Sequence, residues 1–247
     1  MADQEDQPTP VAAQRQAWKR EAAQAAVARE VTDGMIIGLG TGTTADLMLA
    51  ALAERVRQGL RVTGVASSER TRAEAQRLGI PLAELDDVLA LHLSIDGADE
   101  VTLPALDLVK GRGGALLREK LVAVTSQRRI IIVDHTKIVT ALASQHPVPV
   151  EVDRFGWRHT AARLAGLGAT VQRRMASGDY TLNAPFISDG GHYVLDCWFG
   201  PITEAGALAN RIKAITGVID HGLFVGMTER VYVAGTGGVQ VYDRPTE

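Results

Sequence analysis

The sequence predicts an α/β fold, namely a doubly wound, Rossmann-like parallel sheet with an inserted α+β domain of the ferredoxin-like type. Three observations support this prediction. Short apolar runs alternate with helical segments over residues 35–133, and such alternation is typical of a parallel sheet with right-handed crossovers. Two prolines, Pro147 and Pro149, then interrupt the pattern. The six elements that follow have the order βαββαβ, which is the ferredoxin-like arrangement.

Local signals justify each element of the first half. Residues 1–10 are polar and acidic, and we expect a disordered tail there. Residues 12–31 are rich in Ala, Gln, Arg and Glu and predict a helix that ends before Gly34. Apolar runs and glycine stops predict the later elements. These are strand 35–39, helix 44–58, strand 61–66, helix 69–78, strand 91–95, helix 115–125 and strand 129–133.

The second half predicts the inserted domain. Its elements are strand 148–152, helix 156–167, strand 170–175, strand 192–197, helix 204–215 and strand 218–221. Two later β-rich runs, 230–234 and 239–242, are expected to return to the first sheet. The predicted division is therefore a Rossmann-like domain of residues 11–146 and 223–247, with a ferredoxin-like domain over residues 147–222.

Composition excludes several classes of function. The chain has 247 residues, a formal net charge of −3 and 46% hydrophobic residues, so it resembles an ordinary globular protein with no basic footprint for nucleic acid. No apolar run approaches the length of a membrane span. The single cysteine, Cys197, forms no intramolecular disulfide and is interpreted as a small buried residue. We expect a cytoplasmic protein with neither a membrane nor a nucleic-acid partner.

A glycine- and threonine-rich turn separates the first predicted strand from its helix. The turn has the sequence GLGTGTT over residues 38–44. Glycines leave backbone N–H groups free to converge, and the N-terminus of the following helix favours an anion. The hydroxyls of Thr41, Thr43 and Thr44 add donors, and one of them is expected to cap the helix. The pattern predicts a phosphate site.

A dinucleotide site is the alternative use of this turn. Residues 40–45, GTGTTA, match the G-x-G-x-x-A fingerprint. The second strand ends in VASS at residues 65–68 and lacks the acid that binds a ribose, although Arg70 is a candidate for a 2′-phosphate. No Gly-Lys-Ser/Thr follows the turn, so an ATPase P-loop is not expected. A sugar phosphate needs only the groups that are present.

The most informative segments are SIDGADE, residues 94–100, and KGRGGALLREK, residues 110–120. Asp96 and Asp99 fall just beyond a predicted strand, where catalytic acids commonly lie in parallel sheets. Chemistry on a phosphorylated sugar needs a base for a carbon-bound proton, donors for a developing enediolate, and acids or bases for hydroxyl protons. These two segments contain residues of each type.

Two residues of the second segment allow more than one interpretation. Glu119 is predicted to lie about a turn and a half into a helix that begins near Gly113, which turns its carboxylate toward the two aspartates. Alternatively, it is a solvated helix charge paired with a basic neighbour. Lys110, at a junction between strand and loop, either stabilises an oxyanion or caps the turn.

No metal site is predicted. The sequence contains neither a Ser-His-Asp nor an HExxH arrangement, and its six histidines are scattered. His135, next to Asp134 beyond a predicted strand, is a candidate to line the site, but single histidines are more often structural or solvated, and it is interpreted as a bystander. Lys137, in the segment DHTK over residues 134–137, is a candidate cation for a phosphate.

Taken in their order and spacing, GLGTGTT, SIDGADE, KGRGGALLREK and DHTK resemble the type A ribose-5-phosphate isomerases. The resemblance covers almost the whole chain. It implies that Glu119 is the base, that Asp96 and Asp99 serve ring opening and hydroxyl proton transfer, and that Lys110 is the lysine of the family's KGGG segment. The substrate contacts implied by the resemblance are Thr41, Gly42, Thr43, Thr44, Gly97, Ala98, Gly111, Arg112, Gly113 and Lys137.

The resemblance also implies a reaction. D-Ribose 5-phosphate and D-ribulose 5-phosphate would interconvert through a cis-enediolate, without metal or organic cofactor, in the non-oxidative pentose phosphate pathway. A homodimer or homotetramer is expected on the same ground. Two positions depart from the family pattern: Arg112 stands where glycine is usual, and Thr43 where serine is common. Arg112 leaves the backbone conformation of that loop undetermined, but it does not change the class of reaction that the resemblance implies.

Three other functions fit parts of the sequence. An NADP-dependent reductase would bind NADPH. A transcription regulator that senses sugar phosphates would need a DNA-binding domain, for which residues 1–34 are too few. A related aminosugar-phosphate isomerase/deaminase would release ammonia from its substrate. Each matches fewer motifs than the isomerase family does.

Overall fold

The computed structural model describes residues 10–176 and 184–245. The helices are α1 (Pro10–Glu30), α2 (Thr43–Arg57), α3 (Glu69–Arg77), α4 (Leu116–Thr125), α5 (Trp157–Ala165) and α6 (Ala205–Lys213). Two 3₁₀ turns span Leu85–Asp87 and His135–Lys137. The tail predicted for residues 1–10 lies outside the described residues, except for Pro10, which begins α1.

Fourteen strands occur in the described ranges. They are β1 (Ile36–Leu39), β2 (Thr63–Ala66), β3 (Leu91–Asp96), β4 (Glu100–Thr102), β5 (Leu108–Val109), β6 (Ser126–Asp134), β7 (Ile138–Val139), β8 (Val148–Val152), β9 (Thr170–Arg173), β10 (Tyr193–Trp198), β11 (Val218–His221), β12 (Leu223–Phe224), β13 (Arg230–Gly235) and β14 (Gly238–Asp243).

The main sheet has the strand order β14-β13-β6-β3-β1-β2. Its strands are parallel except for β14, which pairs antiparallel with β13. The central strands are apolar because helices cover the sheet. Helix α1 buries Ala22, Ala23, Ala26 and Val27 in the same core as β1 and β3. The predicted α/β, Rossmann-like class is confirmed, and this sheet aligns the carboxyl ends of β1, β3 and β6.

A second sheet has the order β11-β8-β10-β9 and is antiparallel throughout. This order, formed by a βαββαβ succession of elements, is the ferredoxin-like one. All five residues of β8 are buried, and its core includes Val148, Val150, Val152 and Cys197. The strand bounds 148–152 and 218–221 agree with prediction, whereas α5 and α6 are each shorter than predicted. The domain boundaries themselves stay a prediction.

A third sheet, with the order β12-β5-β4-β7, was not predicted. Its strands have only two or three residues, which is too short for a periodic pattern to be visible. The sheet nevertheless matters for the site, because the Asp99 N–H donates to the Val109 carbonyl at 2.8 Å. This bond brings Asp99 beside the start of the loop that carries Lys110.

The structure contains no helix, among the residues it describes, that is long and apolar enough to cross a membrane.

Candidate active site

One cavity of about 370 Å³ lies where β1 and β3 end. Thirteen of the predicted site residues line it, and they come from five separate stretches of chain. They are Thr41, Gly42, Thr43, Thr44, Gly97, Ala98, Asp99, Lys110, Gly111, Arg112, Gly113, Glu119 and Lys137. Lys19 and Arg70 also line the cavity, although the family resemblance implied neither of them as a site residue. Asp96 does not line the cavity itself, but it contacts Lys110, which does.

Three buried side chains, Asp96, Lys110 and Glu119, form what we call the floor. They are 7%, 4% and 4% exposed. The Lys110 ammonium Nζ lies 2.9 Å from Asp96 Oδ2 and 3.3 Å from Glu119 Oε2, and it donates to the Gly97 carbonyl at 2.7 Å. One ammonium therefore joins two carboxylates away from bulk water, where charge interactions are strong.

The opposite charges determine the protonation of the floor. Burial lowers the pKa of Lys110, but the Asp96 and Glu119 carboxylates outweigh burial, and the pKa lies above its ordinary value. Lys110 is therefore a permanent cation at neutral pH. Burial raises the pKa of Glu119, Lys110 opposes this change, and the charges of Asp96 and Asp99 add to it. A raised pKa suits a general base, because it approaches the pH at which the enzyme works.

Asp96 connects the floor to the glycine- and threonine-rich turn. Its Oδ1 accepts hydrogen bonds from the backbone N–H groups of Thr41, at 3.1 Å, and Gly97, at 2.7 Å. Gly40 is packed so closely that an added Cβ would lie 2.1 Å from Asp96 Oδ1. Only glycine fits there, and this explains one glycine of the turn without reference to a ligand.

The threonines of the turn differ in their exposure and in the contacts of their hydroxyl groups. Thr41 Oγ1 lies within 2.8–3.0 Å of the hydroxyls of Ser67, Ser68 and Thr71, so its polar atoms fasten the turn to α3. Thr43 is exposed. The prediction that a threonine caps α2 is wrong, because Gly42 occupies the N-cap and no side chain bonds there. The N–H groups of the first turn of α2 are thus available to an anion.

The helix that carries Glu119 begins later than predicted. The Gly114 N–H donates to the Gly111 carbonyl at 2.9 Å, which forms a separate turn, and α4 begins only at Leu116. Glu119 therefore lies in the first turn of α4, not a turn and a half along it. Its carboxylate nonetheless lies at the floor. The alternative of a solvated helix charge is wrong, because the side chain is buried.

Three basic side chains, Lys19, Arg112 and Lys137, form what we call the rim. Lys19 Nζ donates to Thr43 Oγ1 at 3.2 Å. All three side chains line the same cavity. Burial lowers the pKa of Lys19, Asp134 opposes this effect, and Lys137 and Arg112 add to it. None of the three is in an ion pair with a carboxylate of the described residues. The rim is suited to bind an anion.

Other candidates have structural roles. Arg70, considered for a cofactor 2′-phosphate, forms an ion pair with Asp46 at the cavity edge. His135 stacks edge-on against Trp18 with ring centroids 4.5 Å apart. Burial raises the pKa of the Cys197 thiol to about 12, so this cysteine is no nucleophile. Within the described ranges, no three His, Cys, Asp or Glu side chains are grouped so as to hold a metal ion.

Together the floor and the rim define a class of protein. A buried carboxylate beside a fixed ammonium can move a proton at carbon, and cations beside a free helix N-terminus can hold a phosphate. Both lie in one cavity of an α/β sheet. This combination is what an isomerase of phosphorylated sugars requires.

Comparison with known proteins gives the particular family. The model of the family "Ribose 5-phosphate isomerase A (phosphoriboisomerase A)" matches residues 63–238. A ribose-5-phosphate isomerase A from Gloeobacter violaceus is 53% identical over 223 residues, which are 90% of this chain and 94% of that protein. The chain belongs to the ribose-5-phosphate isomerase A family and is an aldose–ketose isomerase.

Solved structures agree with this assignment. A ribose 5-phosphate isomerase from Plasmodium falciparum superposes with a TM-score of 0.88 at 37% identity, covering 94% of this chain and all of that one. A D-ribose-5-phosphate isomerase solved in complex with phospho-erythronic acid superposes with a TM-score of 0.87 at 34% identity, covering 92% of this chain and 98% of that one.

Proposed function

We propose that the enzyme interconverts D-ribose 5-phosphate and D-ribulose 5-phosphate by proton transfer through a cis-enediolate, using side chains and backbone groups and no metal ion or organic cofactor. One observation carries the proposal: the Glu119 carboxylate is buried next to a permanent cation, in the same cavity as the free N-terminus of α2. Its place would be the non-oxidative pentose phosphate pathway of the cytoplasm.

The phosphate binds at the rim. Lys19, Lys137 and Arg112 supply positive charge, and the first-turn N–H groups of α2 supply oriented donors. Thr43 and Thr44 also line the cavity, and Thr43 Oγ1 accepts a hydrogen bond from Lys19. A similar isomerase has been solved with phospho-erythronic acid, an acid that carries a phosphate, and this supports a phosphate-bearing ligand here.

The sugar is first opened to its aldehyde form. Asp96 and Asp99 take and return hydroxyl protons during this step, as the family resemblance implies. Asp99 is half-buried at the cavity wall, and its Oδ2 accepts the Arg112 N–H at 3.0 Å. Asp96 is fixed by two backbone donors and Lys110, so the two acids differ in how freely they exchange protons.

Isomerisation then proceeds in two proton transfers at carbon. Glu119 removes the C2 proton, the electron pair of that C–H bond forms the C1–C2 double bond, and the carbonyl π electrons move onto O1. The O2 hydroxyl proton is transferred to O1, by way of an aspartate. The enediolate electrons at O2 reform a carbonyl, and C1 takes the proton back from Glu119. No atom or electron is gained or lost overall.

Lys110 and the loop after it stabilise the intermediate. The enediolate carries its negative charge on oxygen, and the Lys110 ammonium is already fixed in the floor before substrate binds. A preorganised cation in a water-poor site stabilises such charge without reorganisation. A positioned base contributes about 10²–10⁴ in rate and an oxyanion donor about 10²–10³, so both groups are needed.

The test is a reaction in heavy water that contains EDTA, followed by NMR. Ribose 5-phosphate is expected to give ribulose 5-phosphate, with solvent deuterium entering C1 because Glu119 exchanges its proton between the two transfers. The mixture is kept at equilibrium for many turnovers, so that internal return of the original proton no longer matters. Loss of activity in EDTA, or ketose that stays free of deuterium, would overturn the proposal.

We also propose, from the family resemblance, that the chain assembles as a homodimer or homotetramer. Light scattering coupled to size-exclusion chromatography measures the mass directly. A mass of one chain at micromolar concentration would contradict this part of the proposal.

A further inference from the structure

Arg174 lies outside the cavity lining, yet it connects the second sheet to the loop after Lys110. It directly follows β9, and its own backbone N–H donates to the Val194 carbonyl at 2.9 Å. Asp196 of β10 holds the guanidinium at two points, with Nε to Oδ2 at 3.0 Å and Nη2 to Oδ1. The two side chains are only 14% and 15% exposed. This geometry fixes the guanidinium firmly.

The remaining nitrogen of the same guanidinium faces the loop. Arg174 Nη1 donates to the Gly111 carbonyl at 2.9 Å and to the Arg112 carbonyl at 3.0 Å. Phe186 adds packing from the same side, because its ring contacts the Gly114 backbone so closely that a Cβ there would lie 2.2 Å from Phe186 Cζ. The second sheet therefore determines where two consecutive carbonyls of this loop point.

The direction of a carbonyl determines the direction of the N–H in the same peptide. A trans peptide is planar, and its C=O and N–H point in opposite directions. The peptide whose carbonyl belongs to Gly111 has the Arg112 N–H, which donates to Asp99 Oδ2 at 3.0 Å on the cavity side. The next peptide has the Arg112 carbonyl and the Gly113 N–H, so the Gly113 N–H also points away from Arg174.

The Gly113 N–H is therefore directed to the cavity. Gly113 lines it, and no acceptor in residues 10–176 or 184–245 takes up this N–H. A backbone donor that lines the same cavity as Lys110 and has no acceptor among the described residues is the type of group that stabilises a developing oxyanion.

We propose that Arg174 is a positioning residue for isomerisation: held by Asp196, it orients the loop of residues 111–113 so that the Gly113 N–H points at the enediolate oxygen and the Arg112 N–H holds Asp99. This inference rests on the proposed enediolate mechanism. Arg174 touches no substrate. Its effect should appear in kcat, because the contacts it orders are those of the intermediate rather than those of the phosphate.

The first experiment compares Arg174→Met with Arg174→Lys. Methionine fills much of the same space but donates no hydrogen bond, whereas lysine retains a charged donor near the loop carbonyls. We expect kcat to fall about tenfold to a hundredfold in the methionine variant, since small misplacements of catalytic groups cost up to about 10², and to recover several-fold in the lysine variant. If packing alone mattered, the two variants would turn over equally fast, and the inference would be wrong.

Arg173→Met is the matched control. Arg173 precedes Arg174 in the chain, but its guanidinium stacks over Trp157 and Tyr193 at 4.9 and 5.3 Å from the ring centroids. We expect its kcat to stay within about twofold of wild type. The inhibition constant of inorganic phosphate should change little in every variant, since Lys19, Lys137 and the N-terminus of α2 lie outside the loop that Arg174 orients, whereas kcat should fall in Arg174→Met.

A double variant covers the possibility that Arg174→Met fails to fold, because that change leaves Asp196 unpaired in a mostly buried position. Arg174→Met with Asp196→Asn removes the charge together with its partner. We expect the double variant to have a melting temperature near that of wild type. Its kcat should be reduced as much as is expected for Arg174→Met alone. A folded double variant with normal kcat overturns the inference.

The outcomes separate this inference from the proposed mechanism. Wild-type enzyme and Glu119→Gln are assayed in parallel. If wild type incorporates no deuterium at C1, or Glu119→Gln keeps normal turnover, the enediolate proposal fails. If those two behave as proposed while the Arg174 variants equal wild type, only the role of Arg174 is rejected.

Discussion

The floor and the rim of the cavity differ in how they are built. The floor residues are buried, and Lys110 joins the two carboxylates at 2.9 and 3.3 Å. The rim cations are half-buried or exposed and have no carboxylate partner among the described residues. The first arrangement is preorganised for chemistry, and the second leaves charge available for a ligand. The difference predicts that floor changes act on kcat and stability, and rim changes on KM.

The largest effect is expected from Glu119→Gln. The amide keeps the shape but accepts no proton from C2, so kcat should fall by about 10²–10⁴, while inorganic phosphate still inhibits with an unchanged constant. Steady-state kinetics measures both quantities. Glu21→Gln, an exposed change on α1, is the control. Near-normal turnover of Glu119→Gln would show that another group is the base.

Lys110→Met should affect two properties at once. Turnover should fall by about 10²–10³, because the oxyanion loses its cation. The free energy of unfolding should fall by about 3 kcal/mol or more, because Asp96 and Glu119 are left as buried carboxylates without their ammonium. Urea titration measures the second effect. Full stability with lost activity would mean that the floor is less dependent on this ion pair than its geometry indicates.

Lys137→Ala tests the rim. Loss of one charge-assisted contact to phosphate, worth about 1.5–3 kcal/mol, should raise KM roughly tenfold or more and leave kcat and the melting temperature nearly unchanged. Raising the salt concentration should reduce the difference from wild type, because the rim is partly exposed to solvent. Arg20→Ala, an exposed neighbour of Lys19, is the control. A fall in kcat at unchanged KM would contradict the division between rim and floor.

The pH dependence of the reaction should report the protonation of the floor. The base must be deprotonated to act, so kcat/KM should rise with pH as Glu119 loses its proton, at a pH above the ordinary glutamate pKa of 4.5. Since the charge of Asp99 raises the pKa of Glu119, Asp99→Asn should move this rise to lower pH, whatever it does to the maximal rate. A rise that moves upward, or not at all, would contradict the assignment.

The smallest effect is expected at Arg112, an exposed rim residue. Arg112→Gly should raise KM about twofold to fivefold at low salt, as befits an exposed charge pair worth about 0.2–1 kcal/mol. Arg112→Lys should stay close to wild type. If Arg112→Gly lowered kcat instead, its effect would be on the loop backbone, which Arg174 and Asp99 hold.

Local patterns in the sequence predicted most of the fold and most of the cavity lining. Strand β8 is visible because Pro147 and Pro149 indicate an extended segment in which valines alternate with other residues. The Asp96 and Asp99 segment is visible because acids follow an apolar strand. The third sheet was missed because β5 has two residues and takes its stability from partners far away in the chain. A threonine cap was predicted for α2, but Thr41 bonds to Ser67, Ser68 and Thr71 instead.

Two side chains, Lys19 and Arg174, could not be assigned to the site from the sequence, because their positions depend on tertiary packing. Lys19 belongs to a helix whose composition is typical of either an exposed or a docking helix. Only the packing of α1 along the main sheet brings its ammonium to Thr43. Arg174 is one of two consecutive arginines, and nothing in the sequence distinguishes it from Arg173. Their opposite directions follow from the alternation of side chains along a strand, which becomes informative only when the neighbours of each face are known.

The cavity has a fixed electrical polarity, with carboxylates in excess at one end and cations at the other. A ligand that is anionic at only one end is therefore aligned before any hydroxyl is recognised. A ligand that is anionic at both ends must place its second charge against Asp96, Asp99 and Glu119, which favours binding together with a proton. Such an inhibitor should bind more tightly as the solution becomes more acidic, provided its phosphate stays ionised.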